Sequence, residues 1–313
     1  RARVAAVTSL ALGLSLAGAD PTLIGVALAA AMVNGAIGYG FSTLVVPVAL
    51  LFYPSQVLNP GLVLAEIALN LLSVILNRKA IPRIYRRILP MLLGSLPGIA
   101  FGILFLKSAS ADGLRLGTFL VLLPLVLLQA AGLRRPLRDK SPVEAPAGFA
   151  IGVLYSCTTI SGPPLGLLLN NQGLAQDDFR AAMSLFRVTQ SVVTSLGYLA
   201  LSLYSPASVR LSLHILPCIL IGIPLGRLLL RSIDAEAFRR LCMAFDAVLI
   251  SFGLSRLLAL KQLLPGLLAY APMAVVAVLN LIVLYSYFSK RKKLRPSAAA
   301  GPPTFPEGAR LPR

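Results

Sequence analysis

The chain has 313 residues, of which 57% are hydrophobic and 13% charged, about half the charged share of a soluble domain, so an ordinary soluble enzyme is excluded. Its 29 Lys and Arg against 11 Asp and Glu give a net charge of +18, a balance that alone would suggest nucleic-acid binding. Long uncharged runs such as Met91 to Leu106 and Leu116 to Leu133 exclude that partner and describe a polytopic protein whose solvent is the lipid bilayer.

The first 21 residues, about one short span, open with Arg1 and Arg3, continue with an apolar core from Val4 to Leu16, and reach Ala17-Gly18-Ala19 before Asp20. They read either as a signal-like segment or as a retained N-terminal transmembrane helix. Apolar segments follow at about residues 22–53, 59–77, 88–106 and 113–133, then at about 146–173, 182–203, 210–230, 236–258 and 266–288. Most suit one crossing of about 20 residues. Segments 22–53 and 146–173 are too long for one, and each is broken near its middle, by Gly35-Ala36-Ile37-Gly38-Tyr39-Gly40 and by Thr158-Thr159-Ile160-Ser161-Gly162-Pro163-Pro164.

Loop charge decides how to count these two. Arg78, Lys79, Arg83, Arg86 and Arg87 form one basic cluster, Arg134, Arg135, Arg138 and Lys140 a second, and Arg231, Arg239 and Arg240 a third; Lys290 to Lys293 and Arg295 lie in the tail. Only if both long segments enter and leave on the same side, as re-entrant hairpins of two half-helices, do all four clusters fall in the cytoplasm. The count is then eight crossings and two hairpins with both termini cytoplasmic, and Lys107 and Arg115 in an outside loop are a mild departure.

A hairpin followed by three crossings occurs twice. A shift of 124 residues lays Gly98, Gly102, Lys107, Ser108 and Arg115 on Gly222, Gly226, Arg231, Ser232 and Arg239. An odd number of crossings per unit turns the second upside down, as in the inverted repeats of secondary transporters. The expected fold is therefore an all-α polytopic membrane protein: an inverted repeat of a re-entrant helical hairpin plus three transmembrane helices, with extra N- and C-terminal transmembrane helices. Its parts are about 1–21, the first repeat 22–133, a cytoplasmic linker 134–145, the second repeat 146–260, a C-terminal helix 261–289 and a basic, Pro-rich tail 290–313. The series Gly94, Gly98, Gly102 and the pair Gly222, Gly226 read as close helix packing.

The hairpin tips are the candidate site. Irregular backbone at membrane depth must be buried in protein or line a polar cavity. A half-helix starts after each tip, near Ser42 and Thr43 in one and at Ser161, with Ser161 as a possible cap, in the other. Helix N-termini offer bare N–H groups and partial positive charge to an anion. Gly35, Gly38 and Gly40 would allow close backbone approach, while Ser42, Thr43, Thr158, Thr159 and Ser161 can donate hydrogen bonds. The alternative is that these residues only kink and pack helices.

Acids within spans are expensive and hence functional candidates; Glu66 and Asp246 are the two at depth. A shift of 120 residues sets Asn70 opposite Gln190 and Glu66 beside Arg187. Glu66 could carry a coupling H+ or Na+ and Arg187 the anion, with Asn70 and Gln190 lining a polar pathway, or Glu66 and Arg187 could form a structural ion pair. Asp246 has the same two readings, coupling or pairing with a nearby arginine. Cys157, Cys218 and Cys242 have no CxxC spacing and His214 is the single histidine, so no metal site, cofactor or catalytic group is expected.

The run from Gly35 through Gly38-Tyr39-Gly40-Phe41-Ser42-Thr43 to Pro47, with Ser161-Gly162-Pro163-Pro164 and Phe179-Arg180-Ala181 in the second half, resembles the sulfite exporter TauE/SafE family, also called the toluene sulfonate uptake permeases. The resemblance covers about residues 22–260 and implies a bacterial inner-membrane transporter of sulfite, sulfoacetate or other organosulfonates, ion-coupled. By motif position the resemblance implies that Gly38, Gly40, Pro47, Ser161, Gly162, Pro163 and Arg180 are the family's landmarks, whereas Tyr39, a substrate-binding candidate by its place in the tip, and Phe41 depart from the glycines that many members carry. Alternatives are a passive anion channel, a transporter of non-sulfur organic anions, and an intramembrane hydrolase using Ser161 and His214, which lacks the GxSG pattern.

Overall fold

The computed structural model describes residues 20–131, 143–171, 174–229 and 235–294. The segment at about 4–19, the cluster Arg134 to Lys140, Arg231, Ser232, and the tail from Arg295 lie outside the described residues. Among the described residues every regular element is a helix. In the first half these are α1 (Pro21–Ile37), α2 (Phe41–Ala49), α3 (Ser55–Asn77), α4 (Ile81–Ser108) and α5 (Ala111–Ala131). The second half has α6 (Glu144–Thr158), α7 (Gly162–Asn171), α8 (Gln176–Ala200), α9 (Pro206–Leu229) and α10 (Ala235–Leu260), followed by a 3-10 turn (Gly266–Tyr270) and α11 (Ala271–Leu294).

Both long apolar segments are broken helices. The Asp20 side chain accepts from Thr22 N at 2.8 Å, with Pro21 in the first turn, and so starts α1. α1 ends at Gly38, left-handed at φ 99°, whose N–H returns to Asn34 O at 2.7 Å. Gly40, at φ 106°, then redirects the chain into α2. α6 stops in the same way, with Thr159 at φ 60° donating its N–H to Tyr155 O at 2.6 Å. A β-branched residue in that region is strained, and the strain falls on the tip.

Among the described residues six helical stretches are long and apolar enough to cross a membrane: Ser55–Asn77, Ile81–Ser108, Ala111–Leu128, Pro206–Leu228, Arg240–Leu260 and Gly266–Tyr287. α8 is long enough, at 25 residues, but is not among them. The expected span at about 182–203 fails on apolarity because Ser184, Arg187, Gln190, Ser191 and Thr194 are all buried on its inward face. Outward, Leu196, Leu199, Phe245, Leu267 and Leu281 are exposed. Polar groups inside and bare leucines outside are the arrangement a lipid solvent selects.

The two groups of five helices pack reciprocally. α4 lies along α6 and α9 along α1; α3 meets α9 while α8 meets α4; α3 and α8 face each other, as do α5 and α10. Small residues make this possible: a methyl on Gly98 would run into the Phe149 carbonyl, and one on Gly226 into that of Met32. Gly35 belongs to this set and not to the tip, since it lies in α1 against the Ile223 backbone. Its expected role in approaching a ligand is corrected accordingly.

Contacts also sort the loops into two ends. At one end Arg83 pairs with Asp178 at 3.0 Å, Arg227 donates to Asn77 Oδ1 at 3.2 Å and Arg240 to Ala131 O at 3.2 Å. At the other, Lys261 pairs with Asp112 and Arg115 donates to Tyr53 O at 3.0 Å. The first end, called the basic end below, gathers the described arginine-rich loops.

Gly98→Ala, which must displace backbone, is expected to cost about 1–3 kcal/mol and lower the melting temperature in detergent. Gly117→Ala, whose new methyl would meet nothing within 4 Å beyond its own helical turn, should leave it unchanged or raise it.

Candidate functional site

α3 buries one face, Leu58, Asn59, Leu62, Glu66, Leu69 and Asn70, at the spacing of successive helical turns. Three of these are polar, and Glu66 is fully buried. Its carboxylate accepts three hydrogen bonds: from Ser42 Oγ in the first turn of α2, from Tyr155 Oη of α6 at 2.8 Å and from Arg187 Nη2 of α8 at 2.8 Å. Arg187 is 2% exposed and also donates through Nη1 to Asn34 Oδ1 of α1 at 3.2 Å. Asn70 Nδ2 reaches Arg187 O at 3.4 Å. One ion pair thus ties both hairpins to the two facing helices.

The broken helices leave carbonyls without partners in their last turns, and neighbouring side chains supply donors. Arg180 Nη2 donates to Ala36 O at 2.7 Å before the first tip. Asn59 Nδ2 donates to Cys157 O and Tyr198 Oη to Ser156 O before the second. An unpaired carbonyl in such surroundings costs several kcal/mol, so these donors hold the tips in place.

The tips touch. Tyr39, fully buried, has its ring edge-on to Phe179 with centroids 6.3 Å apart. A side chain on Gly162 would begin 3.0 Å from that tyrosine ring, so the start of α7 lies under Tyr39. Thr43 is buried in the first turn of α2. Thr158 Oγ1 donates back to Leu154 O at 2.6 Å and accepts from Ile160 N at 3.2 Å. Gly38, Tyr39, Gly40, Ser42, Thr43, Thr158, Thr159, Ser161 and Gly162 therefore belong to two adjoining tips, with Glu66, Asn70 and Arg187 beside them.

Several expectations are corrected by the geometry. Ser161 does not cap α7 with its side chain: Leu165 N bonds Ser161 O, and Ser161 Oγ is buried with no partner. No histidine bonds that hydroxyl either, so the Ser161 and His214 dyad is absent. Asp246 finds no arginine; both carboxylate oxygens lie buried in α10 without a partner, and it stands outside the Glu66 network. Gln190, one turn along α8 from Arg187, has both polar side-chain atoms unpartnered, as do Arg187 Nε and Thr194 Oγ1. Among the described residues no three His, Cys, Asp or Glu gather as metal ligands.

Asn34 and Tyr155 are the members that sequence reasoning did not single out. Each lies four residues before the left-handed residue of its tip and accepts that residue's N–H. A polar side chain one turn before each break was the available signal. Chemically, the site combines a guanidinium, two helix N-termini and several buried donors against one carboxylate. Such a set favours an oxyanion.

A sequence model described as "Sulfite exporter TauE/SafE" matches residues 23–254, which spans both hairpins and every residue of the network. No match is found among curated proteins or among solved structures.

Removing one partner of the buried pair leaves the other uncompensated. Glu66→Gln and Arg187→Gln should each destabilise the protein by about 3–5 kcal/mol. The double variant should lose less than the sum of the two, a coupling that thermal or denaturant melts of all four proteins would measure.

Proposed function

The chain belongs to the sulfite exporter TauE/SafE family of membrane transporters, and we propose that it moves small sulfur-containing anions by secondary active transport. The substrates are sulfite, sulfoacetate or other organosulfonates, and the membrane is the bacterial inner membrane. One observation carries the reading: Arg187, buried between the two tips, is held by a carboxylate that a tetrahedral oxyanion can replace. A sulfonate offers a guanidinium the same paired oxygens as a carboxylate.

In this reading the two groups of five helices form an inverted repeat and α8 is a further crossing whose polar stripe faces the transport path. Reciprocal packing of α4 on α6 and α9 on α1 supports the symmetry. The basic end faces the cytoplasm, with both chain termini, because arginine-rich loops are retained there. The tips form the barrier, and rocking of one half against the other opens the site alternately to each side.

Coupling follows from charge. When substrate takes Arg187, Glu66 loses its counter-ion inside a low-dielectric bundle, and a bare carboxylate there is expensive. A proton delivered to Glu66 removes that cost, so anion and proton bind together. Asp246, buried without a partner, is a second place for a coupling H+ or Na+.

Uptake of radiolabelled sulfite, sulfoacetate, taurine and sulfate into proteoliposomes, with and without a proton gradient, tests the function. Gradient-dependent flux of at least one sulfur anion is expected, and absence of all such flux sinks the substrate assignment. Arg187→Gln should abolish transport. Glu66→Gln should retain binding but lose the dependence on the gradient; unchanged coupled flux would remove Glu66 from the mechanism.

Orientation has its own measurement, on a background with Cys157, Cys218 and Cys242 replaced by alanine. Phe52→Cys and Leu267→Cys should react with an impermeant thiol reagent from the periplasmic side, and Arg86→Cys only from the cytoplasm. The reverse pattern overturns the assigned orientation.

A further inference from the structure

At the basic end, α3, α8 and α9 line an open cavity of about 610 Å³, with Leu72, Leu76, Gln176, Arg180, Arg227 and Leu228 among its walls. That volume is in the usual range for small-molecule sites. A smaller space of about 220 Å³ adjoins it, sharing Leu76 and Arg227 and adding Arg78, Lys79, Arg83 and Asp177. Five basic groups and one acid therefore line the two together, and Asp178 beside them is taken up by Arg83.

The two arginines of the larger cavity need separate accounts. Arg227 is in the last turn of α9, where positive charge suits the helix dipole. Arg180 is in the early turns of α8, where the dipole opposes a cation; the Arg227 guanidinium repels it and Asp177 attracts it more weakly. Neither closes an ion pair among the described residues: Arg180 holds Ala36 O, and Arg227 holds Asn77 Oδ1. Arg180 Nε is buried with no partner. Helix stability explains Arg227 but not Arg180, and it does not explain two like charges across one cavity.

We propose that this cavity is a second anion site, a docking station for a sulfonate-type oxyanion held between Arg180 and Arg227 on the cytoplasmic side of the tips. The leucine walls accommodate a short carbon chain. Arg180 connects the station to the first tip, because it bonds the last turn of α1 and its Cγ lies 3.3 Å from where a side chain on Gly38 would begin. The station raises local substrate concentration before the anion meets Arg187. This inference rests on the anion-transport reading and adds a site to it. A phosphate headgroup of an anionic lipid has the same oxyanion chemistry, and the test separates the two sources.

The chain contains no tryptophan, so Leu76→Trp places a lone reporter in the wall. In neutral detergent, sulfoacetate should change its emission saturably, and the response should weaken with ionic strength. Arg227→Gln should weaken the apparent affinity about tenfold, the loss of one charge-assisted hydrogen bond, and Arg227→Lys should recover part of it. Arg187→Gln should leave this response in place. Size-exclusion profiles establish that each variant is folded.

An equal response to uncharged dimethyl sulfone, or an isotherm unchanged by Arg227→Gln in a folded protein, overturns the proposal. In nanodiscs, the sulfoacetate response should be the same in phosphatidylcholine with or without phosphatidylglycerol. If phosphatidylglycerol abolishes it, the occupant is lipid and the proposal fails. In proteoliposomes Arg227→Gln should raise KM about tenfold at unchanged kcat. Unchanged KM there with transport intact refutes the station alone, whereas an intact fluorescence response with no wild-type transport refutes the transport reading.

Discussion

Backbone groups left bare in an apolar interior must find partners within the protein. α1 and α6 both stop inside the bundle, and the carbonyls of their last turns would be unpaired if the chain simply turned back. The donors that meet them come from elsewhere: Arg180 for Ala36, Asn59 for Cys157, Tyr198 for Ser156. Because α8 contributes two of these three, its position is fixed by both tips at once. The glycine seams that let α4 approach α6 and α9 approach α1 serve the same end, since a looser bundle could not bring side-chain donors to the breaks.

The buried Glu66 and Arg187 pair follows from that geometry. Desolvating two charges costs several kcal/mol each, and their attraction offsets it only when the remaining donors and acceptors are also satisfied. Glu66 meets that condition with Ser42 and Tyr155, whereas Arg187 meets it in part through Asn34 and keeps Nε unpartnered. Both carboxylate oxygens have partners, whereas one guanidinium nitrogen has none. In the proposed mechanism the open Nε leaves room for a ligand, because every additional protein acceptor would compete with it.

Much of this was legible in the sequence, for physical reasons that differ by feature. Segment length and a central small-residue cluster marked the broken helices, because about 30 apolar residues exceed one crossing. Gly38 and Gly40 marked the first break through their freedom at positive φ. The second break was harder, since Thr159 takes the left-handed conformation without being glycine, and strain imposed by tertiary packing leaves no local trace. Gly35 misled because composition cannot tell a packing glycine from a turn glycine three residues away. Ser161 has a capping residue's identity at a capping position, yet its hydroxyl is unpartnered. Asp246 looked like half of an ion pair, but whether an arginine reaches it depends on helix rotation. Asn34 and Tyr155 carried only the weak signal of a polar side chain one turn before each break, and their partners were fixed by the tips bringing separate helices together.

The net charge of +18 therefore divides between two physical roles. Loop arginines such as Arg86 are exposed at the basic end, the kind of charge that under the positive-inside rule biases the orientation of a membrane protein as a whole. Arg187 acts locally, paired with Glu66 in a bundle otherwise nearly empty of charge, where a low dielectric strengthens each interaction it makes. Arg180 and Arg227 stand between these extremes, half-buried, at the boundary of loop and span. A solvated anion approaching from the basic end would exchange water for arginine in stages along such a series, each with a smaller desolvation step than direct transfer to Arg187. That gradation, from exposed to half-buried to buried, is a physical reason for a transporter to keep an arginine such as Arg180 in the early turns of a helix, where the helix dipole alone would not retain it.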